Sequence, residues 1–274
     1  MTLPPWHLHL DVWLALGSAA AAYLIAVTRH ARAEGRPVDA HQLRLFLGGV
    51  ALLWVASDWP VHDLSERYLY SIHMVQHMVF TLLAAPLLVA GVPAWLYRSW
   101  LRPAPVATVF RFFTRPLMGI IVFNGVLLFV HWPSVVEASV SSELTHFALH
   151  VLIVGSALLM WWPIVSPLPE LPPIAPPGQM LYLFFQSIAP TIPASFLTFG
   201  HTVLYPAYAT FPRIWGVSAL DDQMVAGLLM KLVGGLILWS VIAVVFFRWA
   251  KRERADDDLA AARWHEQMRV EPSR

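Results

Sequence analysis

The sequence predicts an all-α membrane protein, a bundle of about seven transmembrane helices, and three observations carry that expectation. Hydrophobic residues make up 58% of the chain and charged residues only 13%, about half the charge of an ordinary soluble domain. A chain this apolar cannot cover itself with polar surface, so lipid is the solvent that suits it. Second, seven apolar stretches follow one another, each near the roughly 20 residues that cross the hydrocarbon. Third, the basic residues gather in alternate connections.

The stretches run as follows. Leu10–Val27 is the first. Met1 to Leu10 carries no Lys or Arg, and no small-residue cleavage site follows a basic region, so this reads as a retained span and not a removed signal peptide. Leu43–Val61 is the second and weakest, with Asp58 close to its end. Leu69–Ala90, Pro116–Val136 and Leu144–Val165 are the third, fourth and fifth. Met180–Leu204 is the sixth, and Pro190 and Pro193 should break or kink it near its middle. The carbonyls freed there need partners from a polar cavity or a neighbouring helix. Gln223–Phe247 is the seventh. Residues 1–250 then form a seven-helix transmembrane domain, and residues 251–274 a charged cytoplasmic tail of alternating sign.

Orientation follows from the basic residues. Arg29, Arg32, Arg36 and Arg44 follow the first span, and Arg98, Arg102, Arg111 and Arg115 follow the third. Arg248, Lys251, Arg252, Arg254, Arg263, Arg269 and Arg274 lie in the tail. The other side holds only Arg67 and Arg213, with Lys231 left inside a span. The N-terminus is expected outside and the C-terminus in the cytoplasm. A reporter active only outside the cytoplasm should therefore stay silent at the C-terminus. A signal from it would overturn the orientation.

Composition also excludes. A net charge of +1 gives no case for nucleic acid. With 0 cysteines there are no disulfides, iron–sulfur clusters or thiolate metal sites. There is no Gly-x-Ser-x-Gly elbow, phosphate loop or His-Glu-x-x-His, so no enzyme is expected. Asp221 and Asp222 read as a helix start.

The 12 histidines carry the functional signal. On this topology His30, His41 and His265 are cytoplasmic. His7, His9, His62, His73, His77, His131, His146, His150 and His201 fall outside or in the outer ends of spans. His73 and His77 are four residues apart, as are His146 and His150, so each pair shares a helix face. Ionisable groups inside spans are costly and mark function. The four are expected to face the bundle interior and to cluster. His131 and His201 sit at matching helix ends, and Met74 and Met78 interleave with the first pair. His62, His7 and His9 read as loop residues. Imidazole and thioether without thiolate favour copper, Cu(I) in particular. Lys231 either snorkels outward or pairs with Asp58 or Asp222.

Four functions fit these residues. One is a copper-handling protein using His73, His77, His146 and His150, then His131 and His201, with Met74 or Met78 as soft auxiliaries. The second is a haem b-binding electron carrier, since two helices each offering a histidine can ligate one haem. The third is a copper transporter, which Lys231 and a broken sixth span would suit. The fourth is a scaffold whose histidines bind nothing.

A resemblance adds to this. Ser57 and Pro60, His73-Met74, Gln76-His77, Pro86-Leu87-Leu88 and Gly91-x-Pro93 are its first part. It continues with His131-Trp132-Pro133, His146, His150, Trp161-Trp162, Asp222-Gln223, Ala226-Gly227 and Met230. In these the chain resembles the CtaG-type cytochrome c oxidase assembly factors of the caa3 class. It departs from them at Asp58-Trp59-Pro60 and at Lys231, where an aromatic residue is expected. The resemblance implies a multi-pass protein of the bacterial plasma membrane. It also implies a cytochrome c oxidase subunit as partner and a role in maturing that oxidase through its copper centres.

Overall fold

A computed structural model describes residues 4–6, 8–35 and 37–270. His7, Arg36 and Arg274 lie outside the described residues. The described residues form helices and connections, with no strand among them. Helices α1 (Leu10–Glu34) and α2 (Ala40–Ser57) are the first two spans. Asp39 starts α2 by accepting from the amides of His41 and Gln42, the usual service of an N-cap carboxylate. A short helix, α3 (Val61–Arg67), joins it to the third span.

That span is composite. It comprises α4 (Tyr70–Met78), a π-helical segment (Val79–Ala84) and α5 (Ala85–Gly91). Pro86 has no amide to give the carbonyl four residues back, and the wider π turn accommodates the loss. Thr81, inside the π segment, instead offers its carbonyl to the indole Nε1 of Trp161 at 2.7 Å. This span is the hub of the bundle: 56% of its apolar 18-residue stretch is buried, against 17% of that in α1. It packs on α2 and on the helices of the fifth and seventh spans.

Helices α6 (Ala94–Trp100) and α7 (Ala104–Phe113) lead into α8 (Pro116–Val130). Among the described residues, six helical runs are long and apolar enough to cross a membrane. The seventh arises only if α7 and α8, bent by 76°, count as one span. The fourth span is shorter than the expected Pro116–Val136. Its helix stops at Val130, because Pro133 drives Trp132 into extended backbone (ψ 132°). Then α9 (Pro133–Ser141) begins.

The fifth span is α10 (Glu143–Val165). The sixth breaks as its prolines require, into α11 (Pro176–Ile188) and α12 (Thr191–Phe199). A small helix, α13 (Pro206–Thr210), precedes the seventh span, which is α14 (Ala219–Leu228), a second π segment (Leu229–Val233) and α15 (Gly234–Val270). The α15 helix continues unbroken into the charged tail as far as Val270, and the described side chains there are exposed.

The contact between α2 and α5 is backbone-close. A Cβ on Gly91 would lie 2.4 Å from the amide nitrogen of Phe46. Tyr23 stacks on Phe46 at 3.8 Å and donates its hydroxyl to the Gly91 carbonyl at 2.8 Å. Gly91→Ala must push α2 from the hub, costing about 1–3 kcal/mol as overpacking does. Thermal unfolding in detergent should show it. Gly125→Ala, with nothing within 4 Å of its Cβ, should stay near wild type. Equal unfolding temperatures would sink the close-packing account.

Candidate functional site

The site begins with how α4 is started. Leu69, at its N-cap, offers no side-chain bond, which leaves the first amides to find partners elsewhere. Asp222 of α14 supplies them. Its Oδ2 accepts from the Tyr70 amide at 2.7 Å and its Oδ1 from the Ser71 amide at 3.0 Å. The carboxylate is 1% exposed and sits in the first turn of its own helix as well. One negative charge thus serves two helix N-termini, where the dipole favours it. His73 follows within one turn of this cap and His77 one turn later.

Gln76 fixes the opposite face. It is fully buried and donates to the Ala56 carbonyl at 2.8 Å. It accepts from the Ser65 hydroxyl at 3.1 Å and meets His62 Nδ1 at 3.2 Å. One amide therefore ties α2, α3 and α4 together and orients the His62 ring. Trp161 of α10, bonded to the Thr81 carbonyl, fixes α10 against the hub. The two helices that carry the histidine pairs are held in register by these bonds.

The four paired histidines come together. Ring centres of His73 and His77 are 4.3 Å apart, and those of His146 and His150 are 4.1 Å apart. Between the helices, His73 lies 5.6 Å from His150 and 5.7 Å from His146, and His77 lies 5.3 Å from His150. His73, His146 and His150 each offer a nitrogen within 4.8 Å of the others'. Their surroundings leave nitrogens spare. His73 Nδ1, His77 Nε2 and His150 Nε2 are buried with no hydrogen-bond partner. Buried polar atoms are nearly always paired, so these unpartnered imidazole nitrogens are available to hold a metal ion.

His131 joins from the end of α8. Its ring is 6.0 Å from His77, its Nδ1 bonds the Leu127 carbonyl at 2.7 Å, and its Nε2 is 3.5 Å from Met74 Sδ. Met78 faces a small cavity of about 60 Å³ shared with His77, His131 and Met230. His201 is not brought in. The chain leaves α12 at Phe199, and His201 is exposed in the turn beyond.

Lys231 is exposed in the second π segment. Neither expected carboxylate meets it. Asp222 caps α4, and Asp58 accepts from the Trp13 indole at 2.9 Å.

The structure adds residues that read as loop positions in the sequence. His62 belongs to α3, its ring 5.6 Å from His146 and 4.6 Å from His9. Glu66 Oε1 lies 3.3 Å from His62 Nε2 and 3.1 Å from His146 Nε2. His9 Nε2 meets Asp63 Oδ2 at 3.1 Å. Burial pushes the Glu66 carboxyl up to about 7. The signal was present: His62 and Glu66 are four residues apart, the spacing that singled out the other pairs. Seven imidazoles, from His9 to His131, form one continuous chain of neighbours.

The sequence model of the family described as cytochrome c oxidase caa3 assembly factor (Caa3_CtaG) matches residues 21–252. An uncharacterized protein of Mycobacterium bovis is 25% identical over 263 residues, covering 89% of this chain and 38% of the relative. A Mycobacterium leprae protein, likewise uncharacterized, is 24% identical over 84% of this chain and 39% of its own length. The chain thus spans about two-fifths of the length of the curated relatives it matches. No solved structure matches it.

Proposed function

Because the chain belongs to the cytochrome c oxidase caa3 assembly factor family, we propose that it serves oxidase maturation by holding copper in the buried histidine cluster and passing it to an oxidase subunit. His73, His77, His146 and His150 would hold the ion, with His131 and Met74 beside them. The observation that carries this reading is the set of buried imidazole nitrogens without partners, gathered from two helices. Neutral imidazole with a nearby thioether, and no thiolate, is a copper donor set. On the orientation read from the basic residues, the cluster lies toward the extracytoplasmic side of the plasma membrane.

The geometry speaks against haem b. Two axial rings on one iron stand roughly 6 Å apart, centre to centre, with metal–nitrogen bonds of about 2 Å. The porphyrin plane between them must also be clear. Here His73 and His77 lie 5.6 and 5.3 Å from His150, near that spacing, so the obstacle is the room a porphyrin needs. Their flanks are filled by His146, His131 and the Phe80 ring, which is 5.2 Å from His150.

Metal analysis of the detergent-purified full chain tests the proposal. The wild-type protein should take up about one copper ion per chain, from the single cluster. The variant with alanine at His73, His77, His146 and His150 should take up none. Equal copper in both, or a Soret band from the wild-type protein, would overturn it.

A further inference from the structure

The histidine chain has a second group of donors whose chemistry differs from the first. His62, Glu66 and His146 each offer a ligand atom within 4.8 Å of the others'. The Nδ1 atoms of the two histidines are already engaged. Gln76 holds His62 Nδ1, which leaves Nε2 toward Glu66. Ser139 Oγ meets His146 Nδ1 at 3.1 Å, which leaves its Nε2 toward the same carboxylate oxygen. That last contact, though only 3.1 Å long, lacks hydrogen-bond geometry, so His146 Nε2 counts among the buried nitrogens without a partner. The three groups line a cavity of about 590 Å³, and His150 lines the same cavity.

We infer that His62, Glu66 and His146 form an entry station for a divalent transition-metal ion, Cu(II) above all, which hands the ion to the deeper His73–His146–His150 group. The inference rests on the copper reading of that deeper group. A carboxylate with two imidazoles suits a harder, divalent ion, while an all-imidazole set tolerates softer ones, and Cu(II) leads the divalent series in affinity. His146 belongs to both groups. With its Nδ1 engaged by Ser139, it has one nitrogen to give, so the two groups cannot be full together. Transfer is then a ligand exchange about His146. Glu66 and His62 leave as His73 and His150 bind, with no electron transferred.

The test uses the full chain in detergent, with Cu(II) as probe, ion counting and electron paramagnetic resonance. Wild-type protein should saturate at about one ion, because His146 is shared. The variant with His73→Ala and His150→Ala should still bind Cu(II), through two nitrogens and an oxygen. Adding His62→Ala and Glu66→Gln to it should cut the affinity on the order of 100-fold, at least what loss of one ordered partner costs a metal site. Glu66→Asp, which keeps the carboxylate, should bind nearly as wild type and shows that the fold tolerates change there. Saturation at two ions would overturn the shared-ligand exchange. Loss of all Cu(II) on removing His73 and His150 alone would overturn the entry station while leaving the deeper site standing. So would indifference to His62 and Glu66 in that background. A wild-type protein that binds no copper would overturn both.

Discussion

Alanine at His150 or His77 should lower oxidase activity in copper-limited cells while leaving the amount of inserted protein unchanged. Both rings hold a buried nitrogen with no hydrogen-bond partner, so their removal breaks no bond that folding needs. An inward polar contact in a membrane bundle is in any case worth only roughly 0.6 kcal/mol. On the proposed copper reading, metal binding suffers far more. Loss of an outer partner of a metal site already costs roughly 10–100-fold in affinity, and a direct ligand should cost at least as much. Oxidase activity should therefore fall on the order of tenfold or more, and added copper should restore part of it by mass action. His41→Ala is the control, exposed at the start of α2 and on the cytoplasmic side by the basic-residue rule. His30 serves less well, since it stacks on Trp95 at 3.9 Å. Equal loss from His41 and His150, or loss that tracks protein level, would mean that the inner histidines are structural.

The parts legible in the sequence are those set by local chemistry. Span length and hydropathy gave the helical bundle, and proline at 190 gave the break between Ile188 and Thr191. The i,i+4 spacing put His73 with His77 and His146 with His150, a consequence of helix pitch alone. What escaped depends on how distant segments meet. His62 reads as a loop residue in the sequence because α3, of only seven residues, has too short an apolar pattern to declare itself. Its place beside His146 is decided by Gln76 across the hub. His201 looked equivalent to His131 by depth. Yet the chain turns outward after Phe199, where Gly200 adopts extended backbone (ψ 134°). The role of Asp222 was half visible: its place at a helix start could be read, but not that the carboxylate closes the N-terminus of another helix 151 and 152 residues away.

That carboxylate yields the largest expected loss of stability. Asp222→Ala leaves the amides of Tyr70 and Ser71 without acceptors in a site where water has no access, because both residues are buried. Each orphaned buried donor costs about 1–3 kcal/mol, and bonds to a charged acceptor lie at the upper end. The loss also removes the charge that complements two helix dipoles. Asp222→Asn keeps one acceptor oxygen and no charge, so it should fall between alanine and wild type. Asp221 is the internal control. It is exposed and its partner is Ser218 of its own cap, so Asp221→Asn should change stability by less than about 1 kcal/mol. Thermal unfolding in detergent should rank wild type and Asp221→Asn highest, Asp222→Asn next and Asp222→Ala lowest. Copper binding should follow the same order, since His73 lies within the first turn that Asp222 holds and a frayed turn no longer presents its ring to His146 and His150. If Asp222→Ala unfolds with the wild-type protein, the cap is not what starts α4. If it loses stability but keeps full copper affinity, the first turn of α4 is not what positions the site.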